Sequence, residues 1–489
     1  MTKERLDPNP SAFVHSLRSV GYSLETAVAD IIDNSITAGA TEIKIYFSLD
    51  GEFPVIVIID NGSGMSTAEL KEAMRLGSTS PLKKRDAHDL GRFGLGMKTA
   101  SFSICRRLTV ASANNGKISG IRWDLDDISR SNSWDIEIIP EKEIMRAPFI
   151  KEDLPDNGTA IVWEKIDRMI DGSAKNPKKE FEASITTLEK HLSLTFHRYI
   201  DGERGIKKIN IFINEHQIDA FDPFNIKNPA TQTLEEDVIS LNNSKISIVP
   251  YILPHHSKTK EDEYECHAGE GGYIANQGFY VYRNRRLIVR GSWFRLAAPE
   301  NLTKLARVRI DIPNNLDADW NIDVKKSTAT PPAVIRDRLK NTIDKIMDKS
   351  AKTYKARGRK IAASATVQLW EKVVAQGKIF YKINSGHPLV ERIREHLKGK
   401  EESEFMTLLD IVARCFPTDL LFSDYGAKPE DVAQNVINED ALADVAEMII
   451  CGWMKSDGIS REEALEKLSG IDPFNKYMDY IKTKLGKIK

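Results

Sequence analysis

ADIIDNS at residues 29–35, DNGSGM at 60–65 and GRFGLGMKTAS at 91–101 decide how this chain is read. Each stretch alone is weak, because an Asp–Asn pair on a helix is usually solvated and glycine-rich runs are usually turns. Together, in this order and at these distances, they describe a nucleotide pocket. Around the first, Leu24, Ala27, Val28, Ile31, Ile32 and Ile36 recur with a helical period, and Gly39 is a helix stop. Asp30 and Asn34 are four residues apart and project from one face, with Asp33 beside them. A carboxylate there can orient or deprotonate a water, and an amide oxygen one turn on can ligate a hard cation. Glu25 is a poorer candidate base, about 180° round the helix from Asn34.

The second stretch closes VIVIID, an apolar strand, so the Asp60 carboxylate must be paired or must bind something. An acceptor at that point suits the exocyclic amine of adenine. Gly62 and Gly64 permit a tight turn and leave room for a flat ligand. Ser66 and Glu69 have capping-box spacing, which predicts a helix after the turn. The third stretch sets Gly91, Gly94 and Gly96 just before a helix, where free backbone N–H groups and the helix dipole favour an anion, with Lys98 as a point charge. It lacks the GxxxxGK[ST] pattern and follows no Rossmann first strand, so neither a Walker A loop nor a dinucleotide fingerprint is indicated. Residues 78–90 are polar without a period and read as a mobile flap.

Farther out, TEIKIYFSL, RRLTVAS, KISGIRW, DIEIIP and GTAIVWEKI read as strands that complete an antiparallel sheet by about residue 167, giving a first domain at 1–170. DGSAKNPKK resembles a linker. KINIFINEHQI, KISIVPYIL, GGYIANQGFYVYRNRRLIV and ARVRIDIP then predict a second α+β domain at 180–330, and 331–489 is mainly helical. At 489 residues, 41% apolar and 29% charged, the chain reads as a soluble multidomain protein. It has neither a membrane-length apolar run nor a secretory signal pattern, so the expected compartment is the cytoplasm. Cys105, Cys266, Cys415 and Cys451 are far apart, which predicts buried free thiols. His255, His256, Cys266 and His267 match no standard zinc spacing. A formal net charge of −1 excludes a basic nucleic-acid sponge, so any basic surface is local. One candidate is 336–360, with ten Lys/Arg against three acids and an apolar stripe at Ile335, Leu339, Ile343 and Ile346.

The ordered motifs resemble those of the GHKL ATPases, the superfamily of the gyrase B subunit, the ninety-kilodalton heat-shock chaperone, MutL and the histidine kinases. The resemblance covers residues 20–167. It implies a Bergerat-type α/β sandwich that binds ATP and Mg²⁺. Asn34 would ligate magnesium, Asp60 would hold the adenine amine with Gly62 and Gly64 at the turn, and Met65 would pack on the base. The glycine box, comprising Gly91, Phe93, Gly94, Leu95, Gly96, Met97, Lys98 and Thr99, would hold the phosphates and close a lid. Thr159 would occupy the last box, beside Asp60. Asp30 stands where most ATP-hydrolysing members carry glutamate, one methylene longer, so slow hydrolysis is expected.

YVYRNRRLIVRGSWF is similar to the ribosomal S5-like transducer segment of MutL and MORC proteins. WNIDVKKSTATPP lies where that family places a lysine reaching the terminal phosphate, and Lys326 is favoured over Lys325. The resemblance implies a clamp that forms a homodimer on binding ATP, by exchange of residues 1–20. Its cargo would be duplex DNA, through 336–360, in repair, compaction or defence against foreign DNA. The alternative is a chaperone-like or adaptor clamp on protein clients, docked by the C-terminal region. A nucleotide-binding scaffold with little turnover is a third reading, and no acidic cluster indicates a nuclease.

Overall fold

The computed structural model describes the chain apart from residues 1, 2, 5, 7, 50–52, 78–89, 91–95, 148, 170–176, 302, 324, 363–366, 376–377, 419, 422–436 and 486–489. Contacts divide it into two compact units, Met1–Ile346 and Met347–Lys489. Flap residues 78–89 and the glycine-box residues Gly91, Phe93, Gly94 and Leu95 lie outside the described residues.

Unit one opens with helix α1 (Pro10–Arg18) and helix α2 (Leu24–Thr37), the latter capped by reciprocal bonds between Ser23 and Thr26. Strands β1 (Glu42–Ser48) and β2 (Val55–Asp60) pair antiparallel, with Ile43 opposite Asp60. Helix α3 (Thr67–Met74) begins at the Ser66/Glu69 capping box that the spacing predicts. Helix α4 (Gly96–Ile104) leads directly into β3 (Cys105–Asn114), followed by β4 (Lys117–Asp124), β5 (Glu137–Ile139) and β6 (Gly158–Ile166).

These strands lie in the order β5-β4-β3-β6-β2-β1. The continuous apolar run of β2 follows from burial on both faces. Ile56 and Ile58 enter the core shared with α2 and α4, whereas Val57 and Ile59 enter a second core with Ile144 and Ile150 on the opposite face.

The sheet does not end near residue 167. Strand β7 (Asn210–Ile213) pairs parallel with the edge strand β1, and β8 (His216–Gln217) extends it, so the sheet has eight strands. KINIFINEHQI is therefore part of the first sheet rather than the second domain. Its Ile209, Ile211 and Ile213 share the first core with the helix Pro177–Thr195, which contributes Phe181, Leu188 and Leu192. Burial of that apolar face draws the segment back across the linker-like stretch.

The second sheet holds β9 (Gln232–Thr233), β10 (Asp237–Leu241), β11 (Ser244–Ile252), β12 (Gly278–Arg283), β13 (Arg286–Ser292) and β14 (Ala306–Ile312). Its path is β10-β11-β14-β12-β13, with β9 on β11. Asn284 and Arg285, both at positive φ, form the two-residue turn between β12 and β13, with backbone twist suited to a tight hairpin.

A long helix, Ala333–Ala362, follows the second sheet. Its apolar stripe is buried as the spacing predicts: Ile335, Leu339, Ile343 and Ile346 are all under 3% exposed. The side chains of 350–362 lie outside the described residues.

Unit two is mainly helical, as expected, around a core of Leu442, Ala446, Ile449, Ile450, Leu468, Phe474 and Ile481. It adds one hairpin, β15 (Trp370–Ala375) with β16 (Lys378–Ile383). The architecture is thus α+β, an α/β sandwich with a second α+β module and a mainly helical C-terminal region.

The expectation of buried thiols holds only for Cys105. Cys266, Cys415 and Cys451 are exposed, because they lie outside the apolar stripes that form the cores. Among the described residues no helix is long and apolar enough to cross a membrane.

Candidate nucleotide site

The candidate adenine side is built where β2 ends. Asp60 is 8% exposed; its Oδ2 accepts the Ser35 hydroxyl at 2.7 Å and its Oδ1 accepts the Gly62 N–H at 2.9 Å. Burial raises its pKa despite these bonds. Gly64 has φ +65°, and a Cβ there would lie 1.8 Å from the Ala113 carbonyl oxygen, so only glycine fits this close approach of the turn to β3.

Thr159 faces Asp60 in the β2–β6 register. Its Oγ1 is 3.0 Å from Ser112 Oγ, which also donates to the Gly158 carbonyl at 3.0 Å and accepts the Met65 N–H at 2.9 Å. One buried serine therefore joins the second motif to the last box. Sequence reading missed it, and the available signal was a hydroxyl within an otherwise apolar strand.

The candidate catalytic side is built on α2. Asp30 is 2% exposed and Asp33 is fully buried, whereas Asn34, one turn beyond Asp30, is exposed. Asp30 Oδ2 accepts the Tyr22 hydroxyl at 2.9 Å, and Oδ1 accepts from Lys326 Nζ at 3.0 Å. Burial, followed by the Asp30 charge, raises the Tyr22 pKa and keeps the phenol protonated as a donor. Gly96 abuts the same carboxylate, since a Cβ there would lie 3.4 Å from Asp30 Oδ2. The first and third motifs thus meet at Asp30.

Lys326 Nζ also donates to Asp33 Oδ2 at 2.6 Å. Lys325 goes elsewhere, donating to the Gly21 carbonyl at 2.8 Å with its ammonium 5.9 Å from the Tyr22 ring centre. Burial works to raise the Asp33 pKa, but the adjacent Arg286 and Lys326 cations outweigh it and hold the group below the usual carboxylate range. Asp33 and Arg286 form a further connection between the modules, which the sequence reading did not assign.

Lys98 is placed differently from the expected phosphate contact. It is 2% exposed, and its ammonium donates to the Ala73 and Arg75 carbonyls at 2.7 and 2.8 Å, closing the C-terminal end of α3. Burial lowers its pKa to about 8. Thr99 is buried, and its hydroxyl donates to the Gly96 carbonyl at 3.3 Å; Met97 packs against the first core.

Asn34, which has no side-chain partner among the described residues, offers one neutral oxygen that could hold magnesium, whereas the neighbouring Asp30 and Asp33 carboxylates are paired with Lys326 and Arg286.

The sequence family described as histidine kinase-, DNA gyrase B-, and HSP90-like ATPase matches residues 22–156. The DNA mismatch repair protein MutL of Borreliella afzelii (strain PKo) is 34% identical over 92 residues, 18% of this chain and 15% of that protein. Protein MICRORCHIDIA 5 of Arabidopsis thaliana is 29% identical over 96 residues, 18% of this chain and 13% of that protein. The chaperone protein HtpG of Chromobacterium violaceum is 31% identical over 93 residues, 17% and 15% respectively. The chain thus matches only about a seventh of the length of these relatives. Residues 22–156, which contain the first three motifs, thus form a domain of the GHKL ATPase type, with Thr159 three residues beyond the match.

Proposed function

We propose that the chain is an ATP-binding clamp that hydrolyses ATP slowly, closes as a homodimer on ATP, and acts on duplex DNA. The observation that carries this reading is the Lys326–Asp30 hydrogen bond, which joins the second module to the candidate catalytic helix. In the proposed site Asp60 accepts the adenine amine, Met65 packs on the base, and Thr159 and Ser112 support that edge. Asn34 holds Mg²⁺, which neutralises phosphate charge when bound. Backbone N–H groups of the glycine box, with Gly91, Gly94 and Gly96, hold the phosphates. A role for Lys98 there requires its ammonium to leave the Ala73 and Arg75 carbonyls.

Asp30 orients and deprotonates a water for attack on the terminal phosphorus, releasing ADP and phosphate. Lys326 senses the terminal phosphate. Nucleotide biases closure only by its difference in affinity for open and closed forms. Residues 1–20 exchange between protomers in the closed form, and hydrolysis reopens it.

DNA is favoured as cargo by the basic composition of 336–360 and by the mismatch-repair relatives. The full chain is expected to bind duplex DNA with an affinity that falls steeply with salt. Reversing Lys352, Lys355, Arg357 and Arg359 to glutamate should weaken binding by about 10²-fold or more at low salt and reduce the slope of log K against log salt. Fluorescence anisotropy at several salt concentrations measures both, and no binding at low salt excludes DNA.

A protein-client clamp is the second reading. The HtpG relative supports it, as do the exposed Leu408, Ile411 and Val412 at helical spacing on Lys400–Arg414 of unit two.

A further inference from the structure

Lys326 lies between two carboxylates. Its ammonium is 2.6 Å from Asp33 and 3.0 Å from Asp30, and all three groups are buried. The shorter contact is to Asp33, which has no place in the proposed chemistry. Left to itself, a fully buried Asp33 would take the whole lysine charge, because an unpaired carboxylate in the interior is strongly unfavourable.

Arg286 prevents that arrangement. It is 3% exposed, and its Nε faces both Asp33 oxygens, at 3.3 Å from Oδ1 and 3.2 Å from Oδ2. The same guanidinium donates from Nη1 to the Lys326 carbonyl at 2.8 Å. Lys326 has φ +50°, a left-handed conformation that a non-glycine residue keeps only where its surroundings impose it. Arg286 therefore holds Lys326 through its main chain while satisfying the competing carboxylate.

The hairpin that carries Arg286 is itself pinned. The Tyr199 hydroxyl donates to the Asn284 carbonyl at 2.7 Å in the turn. Arg283, opposite Arg286, pairs with Asp317 and donates to the Leu90 carbonyl at 2.9 Å, immediately before the glycine box.

We infer that Arg286 is a positioning residue: by neutralising Asp33 and bonding the Lys326 carbonyl, it keeps the Lys326 ammonium available to Asp30 and the terminal phosphate. The inference rests on the ATP reading of the site and specifies how the second module governs it. Two charged partners on Asp33 let Lys326 divide its hydrogen bonds. With Arg286 removed, Asp33 captures Lys326, and the sensor is withdrawn. Neutralising Asp33 in the same chain removes the competitor and returns the lysine.

The test compares affinities of the full-length chain for a non-hydrolysable ATP analogue and for ADP by titration, in wild type, Lys326→Ala, Arg286→Met, Arg286→Lys and the double variant Asp33→Asn/Arg286→Met. Wild type should prefer the triphosphate by about tenfold or more, and Lys326→Ala should abolish that preference. Arg286→Met should lose most of the preference while its ADP affinity stays within about threefold of wild type, showing that the adenine side remains folded. The double variant should recover at least half of the lost preference on a logarithmic scale, and Arg286→Lys should lie between wild type and Arg286→Met.

An Arg286→Met chain that still prefers the triphosphate as wild type does, or a double variant no better than Arg286→Met, overturns the inference. Loss of ADP binding in Arg286→Met also overturns it, by showing a structural role only. A wild type that binds neither nucleotide, or both equally, overturns the ATP-sensing reading and the inference with it. A discriminating wild type beside an unaffected Arg286→Met overturns the inference alone.

Discussion

An Asp60→Ala chain should bind ATP about 10²-fold more weakly than wild type, the loss expected when a hydrogen bond to a charged acceptor, about 3 kcal/mol, is removed. The acceptor is well defined: Asp60 is buried at the end of β2, with Ser35 and Gly62 donating to its two oxygens. Asp60→Asn is the gentler companion, because the Ser35 hydroxyl can turn to accept from the new amide. It should weaken ATP by about tenfold, since the charge-assisted part of the bond is lost while the shape remains. Calorimetric titration with ATP measures both, and melting curves check that the variants fold. Wild-type affinity in a folded Asp60→Ala chain would remove Asp60 from the adenine contact.

The second large effect is at Asp30. Asp30→Ala should lower ATP turnover by about 10²- to 10⁴-fold, the usual range for removing a general base, while ATP affinity changes little. The affinity should hold because Asp30 lies with Tyr22, Lys326 and Gly96, whereas the adenine contacts are on β2 and β6. Asp30→Glu extends the carboxylate by one methylene and should retain turnover at the wild-type level or above it. Release of phosphate, followed at saturating ATP, gives the comparison. Equal rates for Asp30→Ala and wild type would show that another group activates the water.

Much of this site was legible in the sequence, for a local reason. Asp30 and Asn34 lie on one helix whose apolar period is plain, and Asp60, Gly62 and Gly64 lie within five consecutive residues, so short-range spacing carries their geometry. The Ser66/Glu69 cap and the buried stripe from Ile335 to Ile346 were legible on the same ground. The preference for Lys326 over Lys325 came from resemblance alone, and the geometry that separates these neighbours is their different reach, one to α2 and one to the Gly21 carbonyl.

What the sequence concealed depends on distance along the chain. Asp33 and Arg286 are 253 residues apart, and no period or spacing links a helix to a hairpin that far away. Ser112 was hidden because a serine in a strand carries no mark of its long-range partners, Met65, Gly158 and Thr159. Strand β7 reads as part of the second domain because the linker-like stretch precedes it, while its partner β1 lies more than 160 residues earlier in the chain. Lys98 looked like a phosphate cation because it follows a glycine run. The carbonyls that occupy it, at Ala73 and Arg75, belong to the end of another helix.

The central claim, that ATP occupancy closes two copies of the chain into a clamp, is tested most directly by the molar mass of the full-length protein in sedimentation velocity, with and without a non-hydrolysable ATP analogue and Mg²⁺. A shift from monomer toward dimer that requires the nucleotide and is lost in Asp60→Ala is the expected result. An unchanged mass at saturating analogue, with binding verified by titration on the same sample, would contradict it.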